Sequence, residues 1–425
     1  MQTHFSPAQL ADPVLAEANG ILRACVHCGF CTATCPSYVL LGDELDSPRG
    51  RISLVKEMLE QDKPGNDTVA THLDRCLSCF ACMTTCPSGV DYMHLIDTGR
   101  AHVERTYRRP VIERALRALL GSVLSHPARL RWALAAALFA RPFARLLPQR
   151  LRAMLALAPK HPGATATGPG IHAAAGPRRM RVALLTGCVQ SVVEDSINAA
   201  TIRLLNRHGV EVVVTQGARC CGALEHHMGR HAPARAAAAE SLRAWCAEIG
   251  NGLDAIVVNT SGCGTMVKDY GHMFRDDPTL AADAARVSTL ARDISEVLAA
   301  LPLKFTPRGA LRVAYHSACS LQHGQRVIAQ PVKLLKDAGF DVRQPAESHL
   351  CCGSAGTYNI LQPEIAGALR DRKVENLAAL APQAICAGNV GCLVQIRSGT
   401  EVPVMHTVEL LDWATGGPAP EALKT

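Results

Sequence analysis

The sequence has no apolar run long enough to cross a bilayer. The best candidate, Trp132 to Ala140, lies between Arg131 and Arg141 and falls short of the roughly 18 apolar residues that a span needs. We therefore expect a chain that does not cross a membrane. The first residues also lack a basic region followed by an apolar core, which is the pattern of a secretory signal. These two absences favour a cytoplasmic protein in a reducing compartment.

Nucleotide-binding motifs are missing as well. No G-x-G-x-x-G follows a predicted strand and no P-loop occurs, so the sequence shows no fingerprint for a flavin or a nicotinamide. Aromatic residues are scarce, at 4%, and no aromatic platform or recognition motif accompanies the basic residues, which argues against nucleic acid. The 425 residues, 48% of them hydrophobic, are typical of a folded protein with two or three domains.

Cysteine is abundant, with 18 residues in the chain. In a reducing compartment such cysteines are more typical of metal sites than of disulfides. The segments C25VHCGFCTATCP36 and C76LSCFACMTTCP87 both read C-x2-C-x2-C-x3-C-P. In two-cluster ferredoxins the first three thiolates of such a motif bind one 4Fe-4S cluster and the fourth binds the other. Structural zinc sites pair two C-x-x-C units and do not use a third cysteine at the same step.

This spacing predicts two 4Fe-4S clusters in the N-terminal region. The predicted ligands are Cys25, Cys28, Cys31 and Cys86 for cluster 1, and Cys76, Cys79, Cys82 and Cys35 for cluster 2. Between the motifs, the apolar positions of SPRGRISLVKEMLEQ favour a helix over a strand. The N-terminal region is therefore expected to be helical, and it resembles the helical ferredoxin domain of succinate dehydrogenase iron-sulfur subunits.

The C-terminal half contains an internal repeat. RVALLTGC188 aligns with LRVAYHSAC319, and each segment is followed after 31 residues by CCG. Short β-branched runs such as 182–186, 210–215 and 255–260 alternate with helical stretches such as 232–249, which predicts βαβ units around a parallel sheet. The cysteines are then expected at strand ends, where open α/β sheets place their ligands.

These patterns predict a multidomain α and α/β chain. The expected divisions are a helical ferredoxin-like domain (1–100), an Arg-rich amphipathic helical segment (101–158), a linker (159–179), a first CCG module (180–305) and a second CCG module (306–425).

Each repeat resembles the CCG module of heterodisulfide reductase and its relatives. The candidate residues for a further cluster or redox site are Cys188, Cys220, Cys221 and Cys263, then Cys319, Cys351, Cys352 and Cys392. Thr260 and Asn389 stand where that family has a fifth cysteine, which puts its five-cysteine cluster in doubt. Adjacent cysteines that are buried small residues, or a redox-active pair, remain alternatives. Cys246 and Cys386 lie outside the repeat and are expected to be packed thiols.

Two groups of histidines accompany these cysteines. They are His226, His227 and His231, then His316, His323 and His349. Such side chains can tune a cluster or accept protons from a quinol, but without a repeated spacing ordinary hydrogen-bonded histidines are the stronger expectation.

Residues 100–152 hold twelve arginines against Glu104 and Glu113. The arginines interrupt apolar residues at helical spacing, which predicts helices with one apolar and one basic face. Such helices either pack on a partner or on the rest of the chain, or lie on anionic lipid near a quinone pool.

In this order and length, the motifs resemble the iron-sulfur subunit of glycolate oxidase, also called glycolate dehydrogenase. The resemblance covers nearly the whole chain and includes CVHCGF and SPRGRI. It implies an electron-transfer subunit that relays electrons from glycolate oxidation, which yields glyoxylate, toward a quinone or other acceptor. FAD and the oxidation itself are then expected in partner flavin subunits. The chain is expected to be cytoplasmic, with peripheral contact to the inner face of the cytoplasmic membrane. It is therefore expected to be an enzyme subunit without catalytic residues of its own.

Alternatives remain open at this point. The lactate-utilisation iron-sulfur protein and the anaerobic glycerol-3-phosphate dehydrogenase subunit share the cluster motifs and CCG modules. A thiol-disulfide enzyme like heterodisulfide reductase is a third hypothesis, in which the CCG cluster itself performs the chemistry.

Overall fold

The computed structural model describes residues 1–146, 152, 154, 155, 158, 167–306 and 308–424. A helical N-terminal region leads through an Arg-rich helical pair into two α/β modules, as the sequence predicts. The N-terminal helices are α1 (Pro7–Leu10), α2 (Pro13–Ala24), α3 (Pro36–Leu41), α4 (Pro48–Glu60), α5 (Asp67–Asp74), α6 (Ala81–Thr85) and α7 (Tyr92–Thr106).

Helix α4 lies between the two cysteine motifs and supports both. Ser47 caps its N-terminus, because the Ser47 hydroxyl accepts from the Gly50 amide, and Pro48 at the first helical position suits this start. Its apolar face, which includes Ile52 and Val55, packs in one core with Leu95 of α7. The helix expected from SPRGRISLVKEMLEQ is therefore confirmed.

The Arg-rich segment forms α8 (Val111–Leu124) and α9 (Pro127–Ala140), followed by a 3-10 helix, Arg141–Leu146. Two arginines of this region turn inward, because Arg109 and Arg117 both donate to the Asp74 carboxylate at 2.5 and 2.7 Å. Helix α9 differs from the expected pattern of one apolar and one basic face. Leu130 and Leu134 pack against Val192 of the first module, while apolar side chains also lie on its outer face. Arg150 of the predicted segment lies outside the described residues, and the side chain of Arg145 does too.

The predicted linker, 159–179, is described only from residue 167 onward. There it contains a strand, β1 (Gly170–His172), which pairs antiparallel with β3 (Val210–Val214). Composition did not reveal this strand, since the segment is rich in Gly and Pro. Pairing to the edge of a formed sheet supplies the hydrogen bonds that the local sequence does not favour.

The first module is a five-stranded sheet in the order β1-β3-β2-β4-β5, parallel except for β1. Its other strands are β2 (Met180–Leu185), β4 (Ala255–Val258) and β5 (Ala291–Asp293). Its helices are α10 (Gln190–Val193), α11 (Ser196–Arg207), α12 (Ala223–His227), α13 (His231–Gly250), α14 (Ser261–Lys268), α15 (Tyr270–Met273), α16 (Ala281–Leu290) and α17 (Ile294–Ala299).

The second module is a parallel four-stranded sheet in the order β7-β6-β8-β9. Its strands are β6 (Arg312–His316), β7 (Asp341–Arg343), β8 (Ala384–Ala387) and β9 (Val404–His406). Its helices are α18 (Ala329–Asp337), α19 (Tyr358–Leu361), α20 (Pro363–Ala378), α21 (Val390–Arg397) and α22 (Thr407–Ala414), with a π-helical turn at Ser320–Gly324 and a 3-10 turn at Glu421–Leu423.

The two modules are packed together through a continuous apolar core. It contains strand residues from both sheets, such as Val182 and Val313. Across the same interface, Arg203 and Arg207 of α11 bind the fully buried carboxylate of Asp412 in α22. The modules therefore form one body, with their cysteine loops held in fixed relation.

Candidate metal centres

The first N-terminal motif surrounds a cavity of about 430 Å³, part of it open to solvent. The sulfur-bearing residues in its wall are Cys25, Cys28, Cys31, Cys82 and Cys86. Cys28 is exposed whereas Cys25 is buried, so the cavity lies near the protein surface. These residues include all four that spacing predicts for cluster 1.

A second cavity of about 300 Å³ adjoins the first. The sulfur-bearing residues in its wall are Cys35, Cys76, Cys79 and Cys82, the four predicted for cluster 2. Cys82 lines both cavities, so they share a wall. All four of these cysteines are buried, in contrast to the first cavity.

The two motifs have the same backbone conformation at equivalent positions. His27 and Ser78, each two residues after the first cysteine of its motif, have φ of 57° and 48°. Gly29 and Phe80, two residues later, have φ of 86° and 60°. Left-handed backbone at non-glycine residues is uncommon and is concentrated at functional sites. Here it bends both loops in the same way around the cavity that the cysteines line.

Buried polar groups face the sulfur atoms of the second cavity. Arg51 of α4 donates to Cys35 Sγ at 3.8 Å, and the Tyr92 hydroxyl donates to Cys76 Sγ at 3.6 Å. Asp46 holds the guanidinium through an ion pair of 3.3 Å. Burial alone would lower the pKa of Arg51, but the neighbouring Cys76 and Tyr92 groups raise it. Arg51 therefore stays cationic beside sulfur, and it can offset the negative charge of thiolates.

Burial raises the pKa of three thiols in these two cavities. The pKa of Cys31 rises to about 11, and those of Cys79 and Cys82 rise well above the usual thiol value. Buried thiolates need a compensating cation, and a coordinated metal supplies it. The donor set, four sulfur atoms around each of two adjoining cavities, fits iron-sulfur clusters.

In the first module, the cysteines follow the carboxyl ends of the strands. Cys188 lies beside Cys220, and the hydrogen bond between them lowers the pKa of Cys220 to about 7. Cys221 is paired in the same way with Cys263. Thr260, in the place of a fifth cysteine, donates its hydroxyl to Gln190 instead of facing a sulfur.

The second module repeats this arrangement with one addition. Cys319 Sγ lies 3.7 Å from Cys351 Sγ, and Cys352 is hydrogen-bonded to both Cys351 and Cys392. Asn389, in the place of the fifth cysteine, donates to Cys392 Sγ at 3.4 Å. The addition is His316, at the end of β6, which lies within reach of Cys352 and Cys392.

The remaining predicted histidines are divided between two places. His226 Nε2 donates to the carboxylate of Asp97 in α7 at 3.0 Å, and the ring stacks on His231 with centroids 4.6 Å apart. Burial lowers the pKa of His231 to about 4. His323 bonds to Thr84 Oγ1 at 2.7 Å and to the backbone carbonyl of His349 at 3.1 Å.

These contacts connect the modules to the ferredoxin-like region. His226 bridges the first module to α7, while His323 bridges the second module to α6.

The second ferredoxin-like cavity also lies against the second module. Cys79 and Leu77 share one apolar cluster with Cys351, and Cys319 packs against the same cluster. The hydroxyl of Tyr358 donates to the backbone carbonyl of Arg75 at 3.1 Å, which fixes the two regions together. The sequence could not reveal this contact, because it joins residues 283 positions apart.

The spacing of the cysteines also did not predict that Arg51 and Tyr92 contact the sulfur atoms. Arg51 falls within SPRGRI, but neither residue has a fixed spacing to the cysteines that would mark it. Of the two thiols expected to be packed, Cys386 lies fully buried in β8 and Cys246 is half-buried on α13.

Comparisons with known proteins agree with this arrangement. A protein-family description, the 4Fe-4S dicluster domain, matches residues 21–90, and a second, the cysteine-rich domain, matches residues 182–268 and 313–397. A glycolate oxidase iron-sulfur subunit of Escherichia coli strain K12 is 43% identical over 97% of this chain and 99% of the relative. The chain belongs to the family of glycolate oxidase iron-sulfur subunits.

Three further proteins have lower identity to this chain. A probable glycolate oxidase iron-sulfur subunit of Bacillus subtilis strain 168 is 31% identical over 94% of the chain and 95% of the relative. Lactate utilization protein A of Geobacillus thermodenitrificans is 27% identical, over 55% of the chain and 99% of the relative. A hypothetical protein from Helicobacter pylori has a similar fold, with a TM-score of 0.57 and 10% identity over 97% of this chain and 74% of that one.

The family match confirms iron-sulfur clusters as cofactors and the two repeated CCG modules. In the described part of the chain, no helix combines the length and the apolar character needed to cross a bilayer.

Proposed function

We propose that the chain is the electron-transfer subunit of a flavin-dependent glycolate oxidase complex. It relays electrons from the oxidation of glycolate to glyoxylate toward a quinone or another acceptor. The observation that carries this proposal is the division of the ferredoxin-type cysteines between two cavities with a shared wall. The names of the two relatives that match nearly the whole chain support glycolate as the donor.

The proposed ligands follow the lining of the two cavities. They are Cys25, Cys28, Cys31 and Cys86 in the first, and Cys35, Cys76, Cys79 and Cys82 in the second. When bound, 4Fe-4S clusters accept and release single electrons. Arg51 and Tyr92 donate hydrogen bonds to sulfur atoms of the second set, and such bonds favour the reduced, more negative state.

The order of transfer follows from burial and contact. Cys28 of the first cavity is exposed, whereas the four cysteines of the second are buried and one of them, Cys79, packs with Cys351 of the second module. Because electron tunnelling weakens steeply with distance, we propose that electrons pass between the second cavity and the second module. The eight CCG cysteines would then form one or more additional redox sites.

Substrate oxidation belongs to partner subunits in this proposal. Removal of two electrons from an alcohol is flavin or nicotinamide chemistry, whereas iron-sulfur clusters move one electron at a time. The partners are proposed to be flavin-binding glycolate oxidase subunits that hold FAD. The complex is proposed to be cytoplasmic, with this chain at the inner face of the membrane.

The outer face of the Arg-rich helices supports peripheral membrane contact. Trp132 and Phe139 of α9 are 79% and 82% exposed, and Ile112 of α8 is 81% exposed. Arg129 and Arg131, also exposed, lie on α9 with them. Aromatic side chains together with arginines favour the interface of an anionic bilayer.

The relay is tested with Cys79→Ser in the intact complex, isolated without oxygen. We expect electron flow from glycolate to the acceptor to be abolished while glycolate still reduces the flavin of the partner. Cys386→Ser, which alters a buried thiol that lines neither cavity, is the matched control and should retain flow. Full acceptor activity in Cys79→Ser would exclude the relay.

The donor is tested by dye reduction in the same wild-type complex. Glycolate, D-lactate, L-lactate and glycerol 3-phosphate are compared as substrates. Glycolate-driven reduction supports the proposal, whereas activity with only lactate would place the chain functionally with the lactate utilization relatives.

Membrane contact is tested with the double variant Trp132→Ser and Phe139→Ser. We expect the complex to lose flotation with vesicles that contain anionic lipid, while dye reduction is retained. Retained flotation would contradict membrane contact by this face. Loss of the flavin subunits from the complex would instead assign the face to a partner protein.

A further inference from the structure

Three soft donor groups meet at the centre of the second module. One nitrogen of His316 and the sulfur atoms of Cys352 and Cys392 all lie within 4.8 Å of one another. His316 is the last residue of β6, Cys352 lies in the loop after β7, and Cys392 lies in the first turn of α21, after β8. Thiolate and imidazole together form the donor set of zinc and of iron in iron-sulfur proteins.

The imidazole of His316 makes no hydrogen bond among the described residues. The residue is 1% exposed, and neither Nδ1 nor Nε2 has a hydrogen-bond partner among the described residues. Burial of a polar group without a partner is costly, and native proteins generally avoid it. A metal bound between the imidazole and the two sulfur atoms satisfies one of these nitrogens.

The surroundings of this group suit anionic sulfur. Asn389 Nδ2 donates to Cys392 Sγ at 3.4 Å. Lys373, only 2% exposed, interacts electrostatically with Cys352 and Cys351, and its Nζ is held by the carbonyl of Glu347 at 2.7 Å. A buried cation and an amide donor both stabilise thiolates, the form that binds metal.

The first module shows that the fold itself does not require this histidine. Leu185 stands in the first module where His316 stands in the second, because each precedes the first module cysteine by three positions. Leu185 lies buried in the apolar core of that module. A leucine is therefore accommodated at this place in a CCG module, and the histidine needs a separate explanation.

We propose that His316, together with Cys352 and Cys392, is a metal ligand of the second module. The centre is a thiolate-imidazole site for a soft transition metal, either the iron of a cluster or a zinc ion. The adjacent Cys319 and Cys351, with sulfur atoms 3.7 Å apart, favour a cluster, because they add further sulfur donors. The inference rests on the cysteine site proposed for this module, and not on the identity of the electron donor.

The test uses the intact complex isolated without oxygen from cells grown with ¹⁵N-labelled histidine. Pulsed EPR of the reduced protein is expected to show a nitrogen coupling that changes with the label in wild type. His316→Leu should lose that coupling while the signals of the two ferredoxin-type clusters and the reduction of the partner flavin are retained. If metal analysis shows zinc instead of additional iron, Co²⁺ is substituted and the same coupling is sought.

Two further variants separate ligation from folding. His316→Cys keeps a soft donor, so it should retain the metal of the module and lose the nitrogen coupling. His227→Leu, which alters a histidine of the first module, should leave metal content and coupling unchanged. Absence of any histidine coupling in wild type, or the same coupling in His316→Leu, would overturn the proposal without affecting the ferredoxin-type clusters.

Discussion

The two CCG modules follow the same chain path, but they surround their cysteines with different groups. In both, the glycine after the paired cysteines has a left-handed backbone and lies against a helix, Gly222 on the carbonyl of Ala234 and Gly353 on that of Ala366. The repeat therefore preserves the scaffold down to individual backbone contacts.

The differences lie in the side chains that face the sulfur atoms. The first module has Leu185 and Thr260 where the second has His316 and Asn389. Counted from the equivalent Ala234 and Ala366, it has Ser241 where the second has Lys373. Thr260 turns toward Gln190, whereas Asn389 donates to a cysteine sulfur. The second module thus has three polar groups aimed at its cysteines that the first does not have.

The two modules also differ in the residues through which they contact the ferredoxin-like region. The first module contacts the ferredoxin-like region through His226 and Asp97, and the second through Cys351 beside Cys79. A duplicated module can acquire a distinct redox role when its surroundings change and its scaffold does not. We therefore expect matching substitutions at the cysteine sites to change electron flow by different amounts in the two modules. Matching substitutions in the scaffold should change the stability of the protein by similar amounts.

The largest contrast is expected between Cys352→Ser and Cys221→Ser, which are equivalent positions. Cys352→Ser should lower electron flow from glycolate to the acceptor by at least about tenfold more than Cys221→Ser, a difference of about 1.4 kcal/mol in barrier. The reason is that only the second module lies against the second ferredoxin-like cavity in the described structure. Steady-state assays of both complexes measure it, and equal losses would remove the functional distinction between the modules.

The scaffold is tested with Gly222→Ala and Gly353→Ala. A Cβ at these positions would lie 2.6 and 2.5 Å from a backbone carbonyl, in a left-handed conformation that alanine disfavours. Each substitution should lower the free energy of unfolding by about 1–3 kcal/mol, and by similar amounts. Denaturant titrations check this.

Gly367→Ala is the control for this pair. It lies in α20 of the second module, and a Cβ there would have no neighbour within 4 Å among the described atoms. Because alanine favours a helix, this variant should be neutral or stabilised. Unequal effects of the first two variants would mean that the scaffolds are less alike than their backbones indicate.

A smaller effect is expected from Lys373→Met. Loss of a buried positive charge beside Cys352 should make the reduction potential of a centre in the second module more negative. A redox titration followed by EPR measures the shift. Lys336→Met, at an exposed position of α18, should leave the potential unchanged, and the same potential in both variants would contradict this role of Lys373.

The last prediction concerns the pH dependence of the contact between the first module and α7. His94 lies between Asp91 and Asp269, with distances of 2.6 and 3.0 Å. Burial opposes its charge, but the two carboxylates raise the pKa of His94 to about 10. The stabilisation of the folded protein by this charged histidine is therefore fully present below pH 6.5 and is lost as the pH rises through about 10.

The free energy of unfolding of wild type and of His94→Ala, measured across this pH range, checks the direction of this dependence. The variant should be less stable than wild type at low pH, and the difference should shrink as the pH approaches 10. A difference that grows with pH would show that His94 is not held in its charged form by these carboxylates.

The sequence predicted the regular elements of the modules closely. The run 182–186 corresponds to β2 (Met180–Leu185), and the stretch 232–249 to α13 (His231–Gly250). Hydrophobic periodicity depends on residues close together in the chain, so it can be recognised without knowledge of the fold. The strand β1 was not predicted, because its pairing partner β3, and not its own composition, determines it.

The apolar outer face of α9 was missed for a related reason. Periodicity shows where apolar residues recur along a helix, but it does not show which of them find a partner. Leu130 packs on the first module while Trp132 remains exposed. That division depends on where α9 lies in the molecule.

The sequence by itself determined the cysteine spacing, the repeat and the helical or α/β character of each region, since these depend on residues close together in the chain. Only the tertiary structure decided which groups face the sulfur atoms. Arg51 beside Cys35 and His316 beside Cys392 are brought together by packing of separate elements. Spacing along a chain cannot encode such contacts, because they depend on how the layers of the fold meet.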